Sequence, residues 1–313
     1  MLSRIADSLF WLNRYVERTD GILRALEINS VLSLDRHASQ KFSWRPTLKV
    51  FTSLPEEVIE IIQFNNAAVL EFMITDKANA FSLHQVILKA RENARGVQDH
   101  LSKEVWECTN SFYLKINDPN LLDSIRQGHH LGILSELIDS CHLYFGVADV
   151  TTARNQGWNY MNLGRYLERA IQTIDIIDLK FQEIGYNLDD TSDILYWKNL
   201  LFTVSGYELY LKTYRSGIQS QNIVDMMVLN STFPRSVIYC LRKLQLNIQN
   251  LNTFDRSEQH KDLEKLIGRL YSRVLYCDIE IISETGLHEY LMLLKTDLLN
   301  FGNILTKKYF SYY

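Results

Sequence analysis

Advancing about 100° per residue around a helix places Ile5, Leu9, Leu12, Val16 and Leu23 on one narrow stripe, with Leu26 at its edge. Tyr160, Leu163, Leu167, Ile174 and Ile177 make a second stripe of the same kind. Each stripe predicts a long amphipathic helix. The first starts near Ser3, a plausible N-cap with Asp7 in its first turns, and runs to about residue 34. The second covers 158–184 and ends at Gly185, placed as a C-cap. The rest reads the same way. Helices are expected at 44–51, from Pro55-Glu56-Glu57 to the break at Asn65-Asn66, at 67–74, and over one long span, 82–117, ended by Asp118-Pro119. A short helix, Gly128-His129-His130 and a helix at 131–153 follow. The remaining helices are expected at 191–214, 221–229, 235–251 (with Pro234 in its first turn), 257–277 and 283–309. Residues 35–43 and 185–190 read as loops, 75–79 as a turn, and no segment alternates as a strand does. Only 4 Pro and 13 Gly punctuate the 313 residues, too few for a turn-rich β architecture. The expectation is an all-α, multi-helix bundle with short connections.

Within the two stripes one heptad recurs. Leu12-Asn13-Arg14-Tyr15-Val16-Glu17-Arg18 returns as Leu163-Gly164-Arg165-Tyr166-Leu167-Glu168-Arg169. Other features recur in the same order. Trp44, Leu48 and Phe51 answer to Trp197, Leu201 and Phe202, and Glu71-Phe72-Met73 with Ser82 answers to Asp225-Met226-Met227 with Ser236. Phe145-Gly146 answers to Phe301-Gly302, and the spacing between corresponding residues grows slowly, as small insertions make it do. This order predicts two tandem pseudo-symmetric repeats, approximately 1–156 and 157–313, forming one domain over 1–313. The period is far too long for a solenoid.

The repeated heptad is also the candidate site. Glu17 and Glu168 sit at the margin of their stripes, whereas Glu27 and Asp178 project almost onto them, where a carboxylate is costly unless paired. Arg14 and Arg18 are one turn apart and can both reach toward Glu17 or a neighbouring helix. Arg165, Glu168 and Arg169 repeat the arrangement. One reading makes these residues a buried ionic clamp. Another makes them a ligand or catalytic centre, with Glu17 and Glu168 as acid and base. A third leaves them as a solvated charged face. Arg91 and Arg95, four residues apart in Arg91-Glu92-Asn93-Ala94-Arg95, could join Arg154, Arg165 and Arg235 in an anion pocket, or could be plain surface and clamp arginines.

Composition and absences narrow the choice. With 33 basic and 37 acidic residues, the net charge of −4 gives no basic excess for a nucleic-acid binder. The four cysteines (Cys108, Cys141, Cys240, Cys277) are scattered, which argues against a zinc site or disulfide framework and fits a reducing cytoplasm. Arg4, Asp7 and Arg14 interrupt any signal-like apolar start, and no run of membrane-spanning length is expected. A di-iron bundle site needs two Glu-x-x-His pairs, and the nearest approach is one Asp139-x-x-His142, so no metal is expected. His129-His130 reads as loop punctuation rather than a ligand pair. No phosphate-binding loop, dinucleotide-binding glycine motif or nucleophile elbow occurs, so no cofactor is expected. The 17 Tyr, 14 Phe and 5 Trp recur at helical spacing and are assigned mainly to the core.

The opening Met-Leu-Ser-Arg-Ile-Ala-Asp-Ser-Leu-Phe-Trp-Leu-Asn-Arg-Tyr-Val-Glu-Arg resembles the start of the bacterial alpha-E domain family. So do Ala90-Arg91-Glu92-Asn93-Ala94-Arg95-Gly96, Gly157-Trp158 leading into Gly164-Arg165-Tyr166-Leu167-Glu168-Arg169-Ala170, and Phe233-Pro234-Arg235-Ser236. Asn13 departs from the small residue often found there, which Gly164 supplies in the second copy. The resemblance implies an all-helical protein of unassigned function. It also implies neighbours: circularly permuted ATP-grasp ligases and transglutaminase-like proteins, and hence a part in making or modifying a peptide by amide-bond formation.

Two functions follow as expectations. The first is a non-catalytic helical partner or substrate-binding component of an ATP-grasp ligase or transglutaminase-like protein, binding the enzyme or its peptide. The second is an enzyme using Glu17 and Glu168, with the arginines gripping a carboxylate or phosphate.

Overall fold

The computed structural model describes residues 1–34, 42–188, 194–215, 217–251 and 257–310. Most of the first predicted loop (35–41), part of the second (189–190) and the predicted helix start at 191–193 lie outside them. The described residues are helical and contain no strand, so the chain is all-α. They divide into two compact units. One holds residues 11–153; the other holds residues 1–10 with 154–313.

In the unit of residues 11–153, the chain enters along α1 (Ser3–Leu34), whose residues 11–34 belong here. Leu12, Val16, Leu23 and Leu26 are all buried, as the stripe requires. Then come α2 (Arg45–Phe51), α3 (Glu56–Ile62) and α4 (Asn66–Ile74). Asn65, read as a break, is the N-cap of α4 and accepts from the Ala68 N–H. α5 (Leu83–Gly96) is capped by Ser82, and α6 (Lys103–Ile116) by Ser102. The predicted single helix over 82–117 is therefore two, packed against each other. Gly96, a poor helix residue, ends the first. A 3₁₀ turn at Gln98–His100 and an extended Leu101 carry the chain to Ser102, whose hydroxyl takes the Val105 N–H and starts the second. α7 (Leu121–Arg126) and α8 (His130–Thr151) complete the unit, with Gly128 (φ +89°) between them.

α8 corrects the expectation that no run reaches membrane-spanning length. Its 22 residues pass by length and apolarity alone, with a mean hydropathy of 1.2 in the best window. It packs on α6 and α7, and buries Leu134, Leu137, Cys141 and Tyr144.

The other unit is built on α9 (Gln156–Glu183), whose Tyr160, Leu163, Leu167, Ile174 and Ile177 are buried. Residues 3–10 of α1 belong to it. Leu9 lies where a Cβ on Gly157 would stand 3.1 Å away, and Phe10 meets Phe310 with ring centroids 5.1 Å apart. The helix predicted over 191–214 is α10 (Ile194–Thr203) and α11 (Tyr207–Thr213). Ser205 (φ +53°) turns the chain between them. The next Gly206 is boxed in: a Cβ there would lie 2.9 Å from the Met226 methyl and 3.1 Å from the Phe233 ring. The helix predicted over 221–229 is a short α12 (Ser220–Val224) running into a π-helical turn, Asp225–Leu229. α13 (Val237–Leu251), α14 (Glu258–Leu275), α15 (Ile279–Thr285) and α16 (Leu287–Tyr309) follow. The helix predicted over 283–309 begins at Leu287 because Gly286, at φ +89°, breaks it from α15. α9 is flanked by α13 and α16; Gly302 on α16 lets the Leu167 side chain approach to 3.1 Å of where a Cβ would be.

Candidate functional site

Each copy of the heptad sits mid-helix, which fixes its side chains in azimuth. On α1, Leu12 and Val16 face the core and carry Glu17 inward beside them. Glu17 is 0% exposed. Arg14 and Arg18 are half-buried, and the Arg14 guanidinium lies 4.6 Å from the Trp11 ring centre. Trp11 stacks on Tyr15, whose ring also receives Lys89 from α5. One residue before Arg14, buried Asn13 accepts a 2.6 Å hydrogen bond from the Tyr144 hydroxyl of α8. Asn13, the departure from a small residue, thus fills a polar contact inside its unit. Two residues beyond Arg18, buried Asp20 holds Arg24 at 3.1 Å, and Arg24 reaches His142 Nε2 at 2.9 Å.

On α9 the same positions are buried with other partners. Glu168 is 3% exposed and Arg169 6%. Gln172, one turn on, donates to a Glu168 oxygen at 3.4 Å. Arg169 donates to the carbonyl of Pro234 at 3.2 Å, and Thr173 donates to the carbonyl of Arg235 at 2.9 Å. The helix therefore grips the main chain of the Phe233-Pro234-Arg235-Ser236 turn. Ser236 locks that turn from within by donating to the Asn230 carbonyl at 2.7 Å. Arg165 and Arg169 lie 5.7 and 5.6 Å from the Tyr166 ring centre, one guanidinium on either side in sequence. Burial pushes the Tyr166 hydroxyl up, against the downward pull of those two cations.

The other proposed arginines are distributed as follows. Arg91 donates to Asn110 at 2.8 Å and lies 4.6 Å from the Tyr113 ring centre, tying α5 to α6; Arg95 is exposed. In the other unit, exposed Arg154 lies over the Trp158 ring at 3.7 Å, Arg165 flanks Tyr166, and the half-buried Arg235 enters the α9 contact through its carbonyl. Sequence reasoning named Arg169 and Arg235 and noted Asn13 only as a departure from a small residue, and it missed Thr173; the partners of Thr173 and Asn13 are 62 and 131 residues away.

Below the heptad, α9 carries two more half-buried acids. Asp175 meets Lys295 of α16 at 2.6 Å; burial raises its pKa, the lysine lowers it, and Asp178 and Glu168 raise it again. Asp178, expected to need a partner, has two: His288 Nδ1 at 2.7 Å and the Tyr186 hydroxyl at 3.1 Å. Burial first, and the Asp178 carboxylate second, push Tyr186 up to about 12. Glu27, the corresponding acid on α1, is half-buried. Among the described residues no group of three or more His, Cys, Asp or Glu side chains could hold a metal ion.

A family model matches residues 1–310. It is Alpha-E, described as a predicted alpha-helical domain with a conserved ER motif. The chain belongs to the Alpha-E family. Its Glu-Arg pairs, Glu17-Arg18 and Glu168-Arg169, lie in the two helices just described. No curated protein and no solved structure matches the chain. Each of these pairs is a buried glutamate followed by an arginine, one on α1 and one on α9.

Proposed function

We propose that this Alpha-E chain is a non-catalytic helical component of a peptide-making or peptide-modifying system, working with an ATP-grasp ligase or a transglutaminase-like protein. The observation that carries this reading is the burial of both motif glutamates. An acid–base pair must meet substrate, and a carboxylate with no contact to solvent is better suited to holding helices than to exchanging protons with a ligand. Arg169 supports the same view, since a guanidinium N–H is committed to the Pro234 carbonyl. The heptad is then construction, and the protein acts through its surface. Four free cysteines among the described residues fit the reducing cytoplasm expected for such a system.

The same reading makes the chain a tandem duplication. Equivalent residues share their burial: Glu17 with Glu168, Trp44 with Trp197, Met73 with Met227 and Ser82 with Ser236. Other pairs differ: Phe202 is more exposed than Phe51, and Phe72, Phe145 and Arg18 are half-buried where Met226, Phe301 and Arg169 are buried.

The test is co-purification. The full chain, tagged and co-expressed with a circularly permuted ATP-grasp ligase, is expected to retain that ligase through size-exclusion chromatography. Elution of the two proteins apart at micromolar concentration, with both folded, would count decisively against partnership. Retention lost in Glu17→Gln and Glu168→Gln variants that remain folded would return the motif to a functional role.

A further inference from the structure

We propose that Nε2 of His288 is a phosphoryl-acceptor site for an activated donor of the phosphoramidate class, a modification site independent of the partnership above. His288 is the second residue of α16, and it is exposed. Its Nδ1 lies 2.7 Å from Asp178 Oδ1 on α9. A carboxylate accepts hydrogen bonds and cannot donate them, so Nδ1 carries the proton and the lone pair of the neutral ring sits on Nε2. Among the described residues, both hydrogen-bond contacts of the ring are made at Nδ1, which leaves Nε2 to solvent.

Tyr186 secures the pair. Its hydroxyl donates to the same Asp178 oxygen at 3.1 Å and lies 2.9 Å from His288 Nδ1, and its ring packs against the imidazole with centres 5.2 Å apart. Tyr186 sits at φ +57°, a conformation few residues other than glycine adopt and one that clusters at functional sites. The other exposed histidines among the described residues lack this arrangement. His142 also faces an acid, Asp139 at 3.8 Å, but Arg24 stands 2.9 Å from its Nε2. His100 and His129 are exposed, and among the described residues no carboxylate pairs with either ring.

The chemistry follows from the tautomer. The Nε2 lone pair attacks phosphorus, and the P–N bond of the donor breaks with its electron pair, so that nitrogen leaves as a neutral amine with the protons it already carries. Nδ1 keeps its proton. The phosphorylated ring is therefore a cation, and the Asp178 carboxylate 2.7 Å from Nδ1 stabilises it as it would an imidazolium. Helical side chains lean toward the N-terminus, so His288 carries the added phosphoryl toward the positive end of a 23-residue helix, whose N-cap Gly286 supplies no capping side chain.

The experiment incubates the full chain with potassium phosphoramidate at pH 7.5 and follows each histidine by peptide mass spectrometry, with ³¹P NMR to assign the ring nitrogen. His288 is expected to be labelled at least tenfold faster than His100 or His129 in the same molecule, with phosphorus on Nε2. Asp178→Asn keeps an oxygen to accept from Nδ1 but removes the negative charge. It is expected to slow labelling of His288 at least fivefold while the rates at His100 and His129 and the circular dichroism stay as in wild type. Equal labelling of the three histidines, phosphorus on Nδ1 of His288, or an undiminished His288 rate in the folded Asp178→Asn variant would each overturn the proposal.

Discussion

Arg169 reaches from the middle of α9 to the main-chain carbonyl of Pro234, 3.2 Å away, and Thr173, one turn further on, holds the next carbonyl, that of Arg235. Two side chains of one helix thus fasten two consecutive peptide units of a turn distant in sequence. A hydrogen bond from a charged donor contributes about 1.5–3 kcal/mol and a neutral one about half of that. Arg169→Met is expected to lower the thermal midpoint by several degrees, at roughly 2 °C per kcal/mol for a chain of this size. Thr173→Val is expected to cost less. Because the two side chains hold one turn, the double variant should lose less than the sum of the single losses. Calorimetric midpoints of the four proteins check this; strict additivity would mean that the turn is held elsewhere.

The motif glutamates extend the argument. A carboxylate with 0% or 3% exposure persists in the interior only when charge-paired or hydrogen-bonded, and breaking a buried pair costs about 3–5 kcal/mol. Glu17→Gln and Glu168→Gln are each expected to reduce the melting temperature by several degrees. A raised or unchanged midpoint in both would mean the acids are kept at no gain in stability, as functional groups are.

The helices were legible in the letters because burial follows a 3.6-residue period: every residue assigned to the α9 stripe is buried, and so are Leu12, Val16 and Leu23 of α1. The interruptions were harder to read. Across residues 82–117 the apolar phase carries through the break, so Gly96 and the Ser102 cap were outweighed by the pattern on either side. The same happened at Gly206 and Gly286. The site divides in the same way. That Asp178 needs a partner follows from its place on a stripe, but that the partner is His288, 110 residues on, follows only from the packing of α16. Glu17 lies at a stripe's margin by helical geometry and is fully buried, so the covered face of α1 is wider there than a one-sided stripe implies.

Tyr144 and Asn13 make a second long-range polar contact, 2.6 Å long and shut off from solvent. Tyr144→Phe keeps the ring and its edge contact with Phe145 but strands the Asn13 oxygen. Leaving a buried acceptor unmet costs about 1–3 kcal/mol, so this variant is expected to be destabilised by that amount. Adding Asn13→Gly, the residue of the second copy, removes the stranded group but introduces a glycine inside a helix at about 1 kcal/mol. Urea midpoints of the two single variants and the double variant should show a favourable coupling in the double; its absence would mean that the pair is not a unit.

Asp175 and Lys295 provide a pH signature. Burial, the largest influence, raises the Asp175 pKa above 3.8, and the Lys295 contact at 2.6 Å works against that rise. A carboxylate whose pKa is higher in the folded protein than in the unfolded chain binds more protons when folded. Stability from this group therefore grows as pH falls through the folded value toward the unfolded one, and is lost as pH rises again. Removing the lysine by Lys295→Met takes away a lowering influence, so the folded pKa rises further and the window widens upward. Relative to wild type, Lys295→Met is expected to be more destabilised at pH 7 than at pH 4.5, and Asp175→Asn in the Lys295→Met background should abolish that difference. Urea unfolding of wild type, the single variant and the double variant at the two pH values checks it. A Lys295→Met penalty equal at both pH values would mean that the lysine acts on α9 through packing of its alkyl chain and not through the charge of Asp175.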